Sequence, residues 1–324
     1  ARTSGALNYA ALIASDAGMP HLAAELCWRQ HKVFAEAGNL PQDIAVMSLM
    51  PLINISRLLT REGDGEAAYD VLVQLYRAAR QRGTATICGH NIDLSTLIRT
   101  TEDHRKICQE LWVCILVDGA RALARSGQWT KAADAMAEHR GIGNRLLDGR
   151  QIKIMSLVER DLREQARDMI DSTCSAEPWE NAVAAVLRLC CHPEPASQPE
   201  QAQALRLTVE LIDPGDSATA AFQTRLALTA LDLTGDQTGP ATDRLRSAVI
   251  DIAASDAYAA RDILAHPPAC THITNEQEDN LRTVVAKSGL GAGGLPTAQM
   301  NALVSAVTEA EAALGGLLPL TRKD

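Results

Sequence analysis

Residues 82–106 read RGTATICGHNIDLSTLIRTTEDHRK and bring His90, Asp93, Asp103 and His104 into one short segment. Imidazole and carboxylate are the donors that Zn²⁺ or Fe²⁺ accepts, and the same groups serve general acid–base chemistry. His90 and Asp93 stand three apart, which suits one helical face, but neither HExxH nor a paired HxxxH accompanies them. The other reading is that Asp93 and Thr101 cap two short helices while the histidines face water. His90, Asp93 and His104 therefore form a candidate loop site to which the spacing assigns no metal, no cofactor and no catalytic role.

Other motifs carry less. SGLGAGG contains a G-x-G-x-x-G at Gly289, Gly291 and Gly294. A dinucleotide site would need it inside a βαβ unit with an acidic residue about 20 positions on, and the short remaining chain, mostly one expected helix, points to a flexible turn. HRGIGNRLLDGRQ reads as a connector between helices. No G-x-S-x-G, phosphate-loop or kinase pattern occurs. The eight cysteines have irregular spacing and no C-x-x-C, as expected of reduced cytoplasmic thiols that behave as small apolar side chains. Cys190 and Cys191 would be redox-active only beside basic groups.

The elements that position these residues are helical. Alanine and leucine dominate, with only four Trp, four Tyr and two Phe, and Val/Ile/Thr runs of strand length are rare, against a large sheet. Lys plus Arg total 31 against 40 Asp plus Glu, a net charge of −9, which disfavours direct nucleic-acid binding. The most apolar run, residues 111–117, is far below the roughly 20 residues a bilayer requires, so no membrane span is expected. Residues 1–20 lack a basic region followed by an apolar stretch, so no secretory signal is expected there. The opening on Ala1 rather than Met fits a trimmed N-terminal segment.

Three stretches share one pattern when Gly18, Gly63 and Gly127 are superposed. Ala23, Ala68 and Ala132 follow five positions later; Ala11, Ser56 and Ala120 precede by seven, and Leu7, Leu52 and Leu116 by eleven. Two antiparallel helices joined by a tight turn approach closely only where side chains are short, and the turn favours glycine. The pattern resembles the tetratricopeptide repeat, with Trp129 and Asn54 where that family commonly has an aromatic and an asparagine. The uneven glycine spacing makes the resemblance one to an irregular array. The chain is also similar to actinobacterial helical proteins, a likeness that brings no activity with it.

The resemblance implies an all-α solenoid of stacked antiparallel helix pairs. It also implies that positions six and two before the turn glycine face a concave groove. These are Arg57 and Arg61 in the second unit and Arg121 and Arg125 in the third, and Asn54 lies near them. Each pair is four residues apart, so both members point the same way. Guanidinium forks suit carboxylate or phosphate, although Leu12 and Asp16 break the row in the first unit. Arginines so spaced also commonly form a solvated face with acidic partners.

Beyond the third unit, helices are expected over 179–191, 201–212, 218–233, 243–254, 257–265, 275–287 and 297–314. HPEPASQPE is the best candidate for a boundary. It would divide repeats over 1–192, with an inserted loop at about 83–104, from further repeats and capping helices over 193–324, all in one continuous solenoid. The last helix would cap the array or pair two copies into a homodimer. These features point to a non-enzymatic adaptor or sensor binding a peptide, a partner protein or an acidic small molecule in its groove. The alternatives are the effector domain of a transcriptional regulator without its DNA-binding segment, and a biosynthetic enzyme using the inserted loop.

Overall fold

The computed structural model describes residues 2–37, 40, 42–95, 100–193, 195–235 and 239–318. They are mostly helical and divide into two compact units, one of residues 1–141 with 291–324, the other of residues 142–290.

In the first unit, α1 (Arg2–Asp16) and α2 (Pro20–Ala37) form a pair, followed by α3 (Gln42–Glu62) with α4 (Gly65–Gln81). A β-hairpin, β1 (Thr84–Ile87) and β2 (His90–Asp93), comes next. Then α5 (Thr101–Cys114) runs through a π-turn (Ile115–Gly119) into α6 (Ala120–Arg125), which pairs with α7 (Trp129–Glu138).

The turns between paired helices follow the glycine register. Gly18, Gly63 and Gly127 have φ of 78°, 91° and 79°, the left-handed region that glycine enters without a Cβ clash. The small residues at the crossings, Ala11, Ser56, Ala120, Ala23, Ala68 and Ala132, are all buried. Ser56 Oγ donates to the Ala68 carbonyl at 2.8 Å, so its hydroxyl is satisfied inside the crossing. The π-turn adds a residue to the third unit. Ile115 rather than Leu116 is fully buried there, matching Leu7 and Leu52 in the first two.

The hairpin departs from an all-helical inserted loop. Cys88 and Gly89 both have positive φ, 47° and 80°, as a two-residue turn of the kind that suits strand twist requires. Alternation then turns Ala85, Ile87 and Ile92 into the core. Residues 96–99 of this segment lie outside the described residues.

Among the described residues one helix is long and apolar enough to cross a membrane by length and composition: in α3 the window Asp43–Glu62 has a mean hydropathy of 1.3, and 50% of it is buried within the protein. Its Leu49, Leu52, Ile53 and Ile55 are core residues of the first unit.

The second unit holds α8 (Asp148–Glu159), α9 (Arg163–Asp171), α10 (Pro178–Cys190), α11 (Gln198–Leu211), α12 (Ala220–Thr234), α13 (Pro240–Ala253), α14 (Ala257–Leu264), α15 (Pro267–Cys270) and α16 (Asn275–Ser288). Its core is again rich in small residues, with Ala182, Ala204, Ala227, Ala253 and Ala260 fully buried. Arg150 fastens its first connector: the guanidinium donates to the carbonyls of Gly143 (2.8 Å) and Met169 (2.7 Å) and to Ser172 Oγ (2.8 Å). The proline-bearing stretch after α10 does not divide the units. Cys191 just before it, Ala196 within it and Ala204 after it belong to one core, and Ser197 and Glu200 close a capping box on α11.

Beyond α16 the chain returns to the first unit, where α17 (Thr297–Leu317) packs on α1 and α2 through Val307, Ala310 and Leu314. Arg29 and Glu311 form a two-pronged ion pair at 2.9 and 2.6 Å. The glycine-rich turn before α17 is docked rather than loose: the Gly291 and Gly293 amides donate to the Asp16 and Ala17 carbonyls at 2.7 and 2.8 Å. A Cβ on Gly18 would stand 3.2 Å from the Gly293 nitrogen. The nucleotide-like motif is thus a backbone-to-backbone dock.

Gly65 and Gly5 separate close approach from helix propensity. A Cβ at Gly65 would collide with the Ala122 carbonyl and Ser126 Oγ of the neighbouring pair, whereas one at Gly5 meets nothing within 4 Å. Gly65→Ala is expected to lower the unfolding free energy by about 1–3 kcal/mol. Gly5→Ala is expected to raise it by roughly 0.5–1 kcal/mol. Urea titration of both variants measures the two signs.

Candidate functional site

The arginines of the first unit are tied into its framework. Asn54, Arg57 and Arg61 share one face of α3. Buried Asn54 donates to Asn8 Oδ1 on α1 and accepts from Arg57 at 3.3 Å. Arg57 then clasps Asp118 of the π-turn with two 3.0 Å hydrogen bonds. Burial opposes its charge, but the hydrogen bonds and the charge of Asp118 outweigh burial and hold the guanidinium above its ordinary pKa. Arg61 reaches back to Asp16 Oδ1 at 2.7 Å and to Ser15. A polar seam therefore runs from α1 across α3 to the π-turn. Arg57 and Arg61 fasten helices to one another, while Arg121 and Arg125 on α6 are exposed.

His90, Asp93 and His104 do not converge on a metal site; among the described residues no group of three or more His, Cys, Asp or Glu could hold a metal ion. Asp93 accepts from the Ser95 amide (2.9 Å) and hydroxyl (2.6 Å). Thr100, one residue before Thr101, caps α5 in a capping box with Asp103. His104 lies in the first turn of α5 with Nε2 buried and without a hydrogen-bond partner.

His90 is stacked on Trp28 of α2, ring centroids 3.9 Å apart and planes at 18°. His31 meets the same indole edge-on at 6.1 Å, and its Nδ1 is buried without a hydrogen-bond partner. Burial, helped by nearby His90, pushes the His31 pKa down to about 4.

The adjacent thiols Cys190 and Cys191 are held protonated by burial. Burial pushes Cys190 up to about 11 and raises Cys191 as well. Cys191 Sγ donates to the Leu187 carbonyl, and all eight cysteines are free. At neutral pH Cys190 and Cys191 are thiols rather than nucleophilic thiolates.

A site without a counterpart among the sequence motifs lies in the second unit. A pocket of about 240 Å³ opens between α12, α13, α14 and the turn around α15. Leu228, Leu231, Val249, Ile250, Ile263 and Ile273 supply apolar wall. Its polar groups are Asp232, Arg246, His266 and His272. His266 caps α15, where its Nδ1 accepts from the Ala269 amide at 3.1 Å. That fixes the proton on Nε2, which donates to Asp232 Oδ2 at 2.9 Å. Both nitrogens being engaged, proton transfer by His266 would first break one of these bonds. Arg246, its side chain 20% exposed, donates to His272 Nε2 at 3.3 Å and stands 3.8 Å from Asp243. The only trace in the sequence is HPPACTH, two histidines around a proline pair that starts a helix.

No protein-family description, curated protein or solved structure matches this chain.

His31 gives the first unit an acid sensitivity of known sign. Its folded pKa of about 4 lies below the ordinary 6.5, so between those values the unfolded chain binds the proton and the folded one does not. The stabilisation is whole above pH 6.5 and falls away as pH drops toward 4. At pH 5 the loss at this one residue is about 2 kcal/mol. Urea unfolding at pH 7.5 and pH 5 is expected to show that loss, and His31→Gln to flatten the difference.

Proposed function

We propose that the protein is a non-enzymatic adaptor or sensor, a tetratricopeptide-like stack of helix pairs that takes up a peptide, a partner protein or an acidic small molecule along the face made by α1, α3 and α6. The observation that carries this reading is the seam Asn8–Asn54–Arg57–Asp118, which joins the first helix of each of three successive pairs side by side. Helices so aligned offer one shallow surface, the kind that repeat proteins use for extended ligands. The exposed Arg121 and Arg125 lie beyond the Asp118 end of this seam and supply positive charge for an acidic group. Arg57 and Arg61 act in this reading as fixed struts that hold the surface in shape. Among the described residues His90, Asp93 and His104 form no group that could hold a metal ion, so an enzyme built on a metal in the hairpin segment gains no support.

The test is native mass spectrometry of the full chain purified from its own cells, beside an Arg121→Glu/Arg125→Glu variant with unchanged circular dichroism. A bound peptide, protein or metabolite is expected with the parent chain and expected to be reduced at least about tenfold in the variant, as for a lost charge-assisted contact. Equal recovery from both chains, or no bound species with either, would overturn the reading.

A further inference from the structure

The pocket of the second unit combines features that the groove reading leaves unused. Its walls come from three helices and a turn, and are mostly aliphatic. Within them Arg246 is the one group of permanent positive charge, and its side chain is largely removed from solvent. Its close partner is His272 Nε2, which acts as an acceptor toward the guanidinium and brings no negative charge. Its carboxylate partner Asp243 is 3.8 Å away and 73% exposed, so that pair is long and screened. The pocket's own carboxylate, Asp232, keeps its negative charge but is hydrogen-bonded to His266 rather than to Arg246. Among the described residues Arg246 thus has no carboxylate within hydrogen-bond distance, at the wall of an apolar cavity.

A guanidinium in that setting favours an anion that can accept two parallel N–H bonds, and carboxylate has that geometry. A phosphate would carry more charge into a cavity whose remaining walls are Leu, Ile and Val. The volume, about 240 Å³, lies just under the range of drug-sized pockets and suits a body of few heavy atoms. We propose that this pocket binds a small carboxylic acid with an apolar body, the carboxylate on Arg246 and the hydrocarbon against Leu228, Leu231, Val249, Ile250 and Ile263. His266 and His272 play positioning parts: His266 locks the α15 turn to α12 through Asp232, and His272 orients the guanidinium. The site lies in the other unit from the groove, so it stands or falls independently of the function proposed above.

Isothermal titration of the full chain with octanoate, octan-1-ol and octylammonium reads the claim directly. Octanoate is expected to bind with one-to-one stoichiometry, octanol at least about tenfold more weakly, and octylammonium more weakly still. Arg246→Gln is expected to weaken octanoate by roughly ten- to a hundredfold while leaving octanol unchanged. Ala269→Phe, which fills the cavity from the α15 turn, is expected to abolish binding of both. Equal affinity for octanoate and octanol in the parent chain, or no heat with octanoate at millimolar concentration, overturns the proposal. So does undiminished octanoate binding in a folded Arg246→Gln protein. If Arg246→Gln fails to fold, the parent chain's discrimination between acid and alcohol still decides.

Discussion

Paired helices can nest only where the group between them is little larger than a methyl, and the first unit is arranged around that limit. Ala11 with Ala23, Ser56 with Ala68 and Ala120 with Ala132 recur at matching positions in its pairs, all of them buried. A left-handed glycine after each first helix reverses the chain in few residues. With backbones this close, polar groups caught between helices must find partners within reach, since an unsatisfied buried group costs about 1–3 kcal/mol. Ser56 does so on the Ala68 carbonyl, and Asn54 does so between Asn8 and Arg57. Even Gly65 follows from it, because the next pair comes too near to admit a side chain.

The same constraint reassigns the arginines. Spacing along a helix tells which side chains point the same way, but it says nothing about what stands opposite. Arg57 faces Asp118 only because the π-turn carries that carboxylate to α3, and Arg61 meets Asp16 only because α1 ends beside it. Such pairs fix the relation between helices and at the same time reduce the positive charge available to a ligand. Arg121 and Arg125 of α6 are exposed by comparison, and in the second unit the guanidinium of Arg246 lines the pocket.

The helix pairs were legible in the sequence because glycine at a turn and alanine at a crossing are local requirements that show at fixed spacing. The helices after residue 178 other than the short α15 were legible too, from apolar periodicity, with ends displaced by a few residues. The hairpin escaped notice because its turn is Cys88–Gly89, where asparagine or aspartate would have announced a two-residue reversal. Its alternation, Thr84 out, Ala85 in, Thr86 out, Ile87 in, spans only four residues. The π-turn leaves no mark in composition at all, and shows only as the slip from Leu116 to Ile115. The division of the units was hidden for a related reason: HPEPASQPE has the proline content of a linker, yet Cys191 and Ala204 on its flanks and Ala196 within it are buried in a common core. The pocket gathers residues from 228 to 273 whose proximity is a product of tertiary packing.

The return of α17 to α1 has a consequence for biosynthesis. Arg29 and its partner Glu311 are 282 residues apart in the chain. A ribosome adding about 5–20 residues per second leaves the first helix pair without its covering helix for on the order of tens of seconds. During that interval the whole of the second unit emerges and can collapse on its own core, while the apolar flank of α1 stays open to water and to chaperones. Closure of the first unit therefore waits until α17 has been made, and a nascent chain released before that point forfeits it.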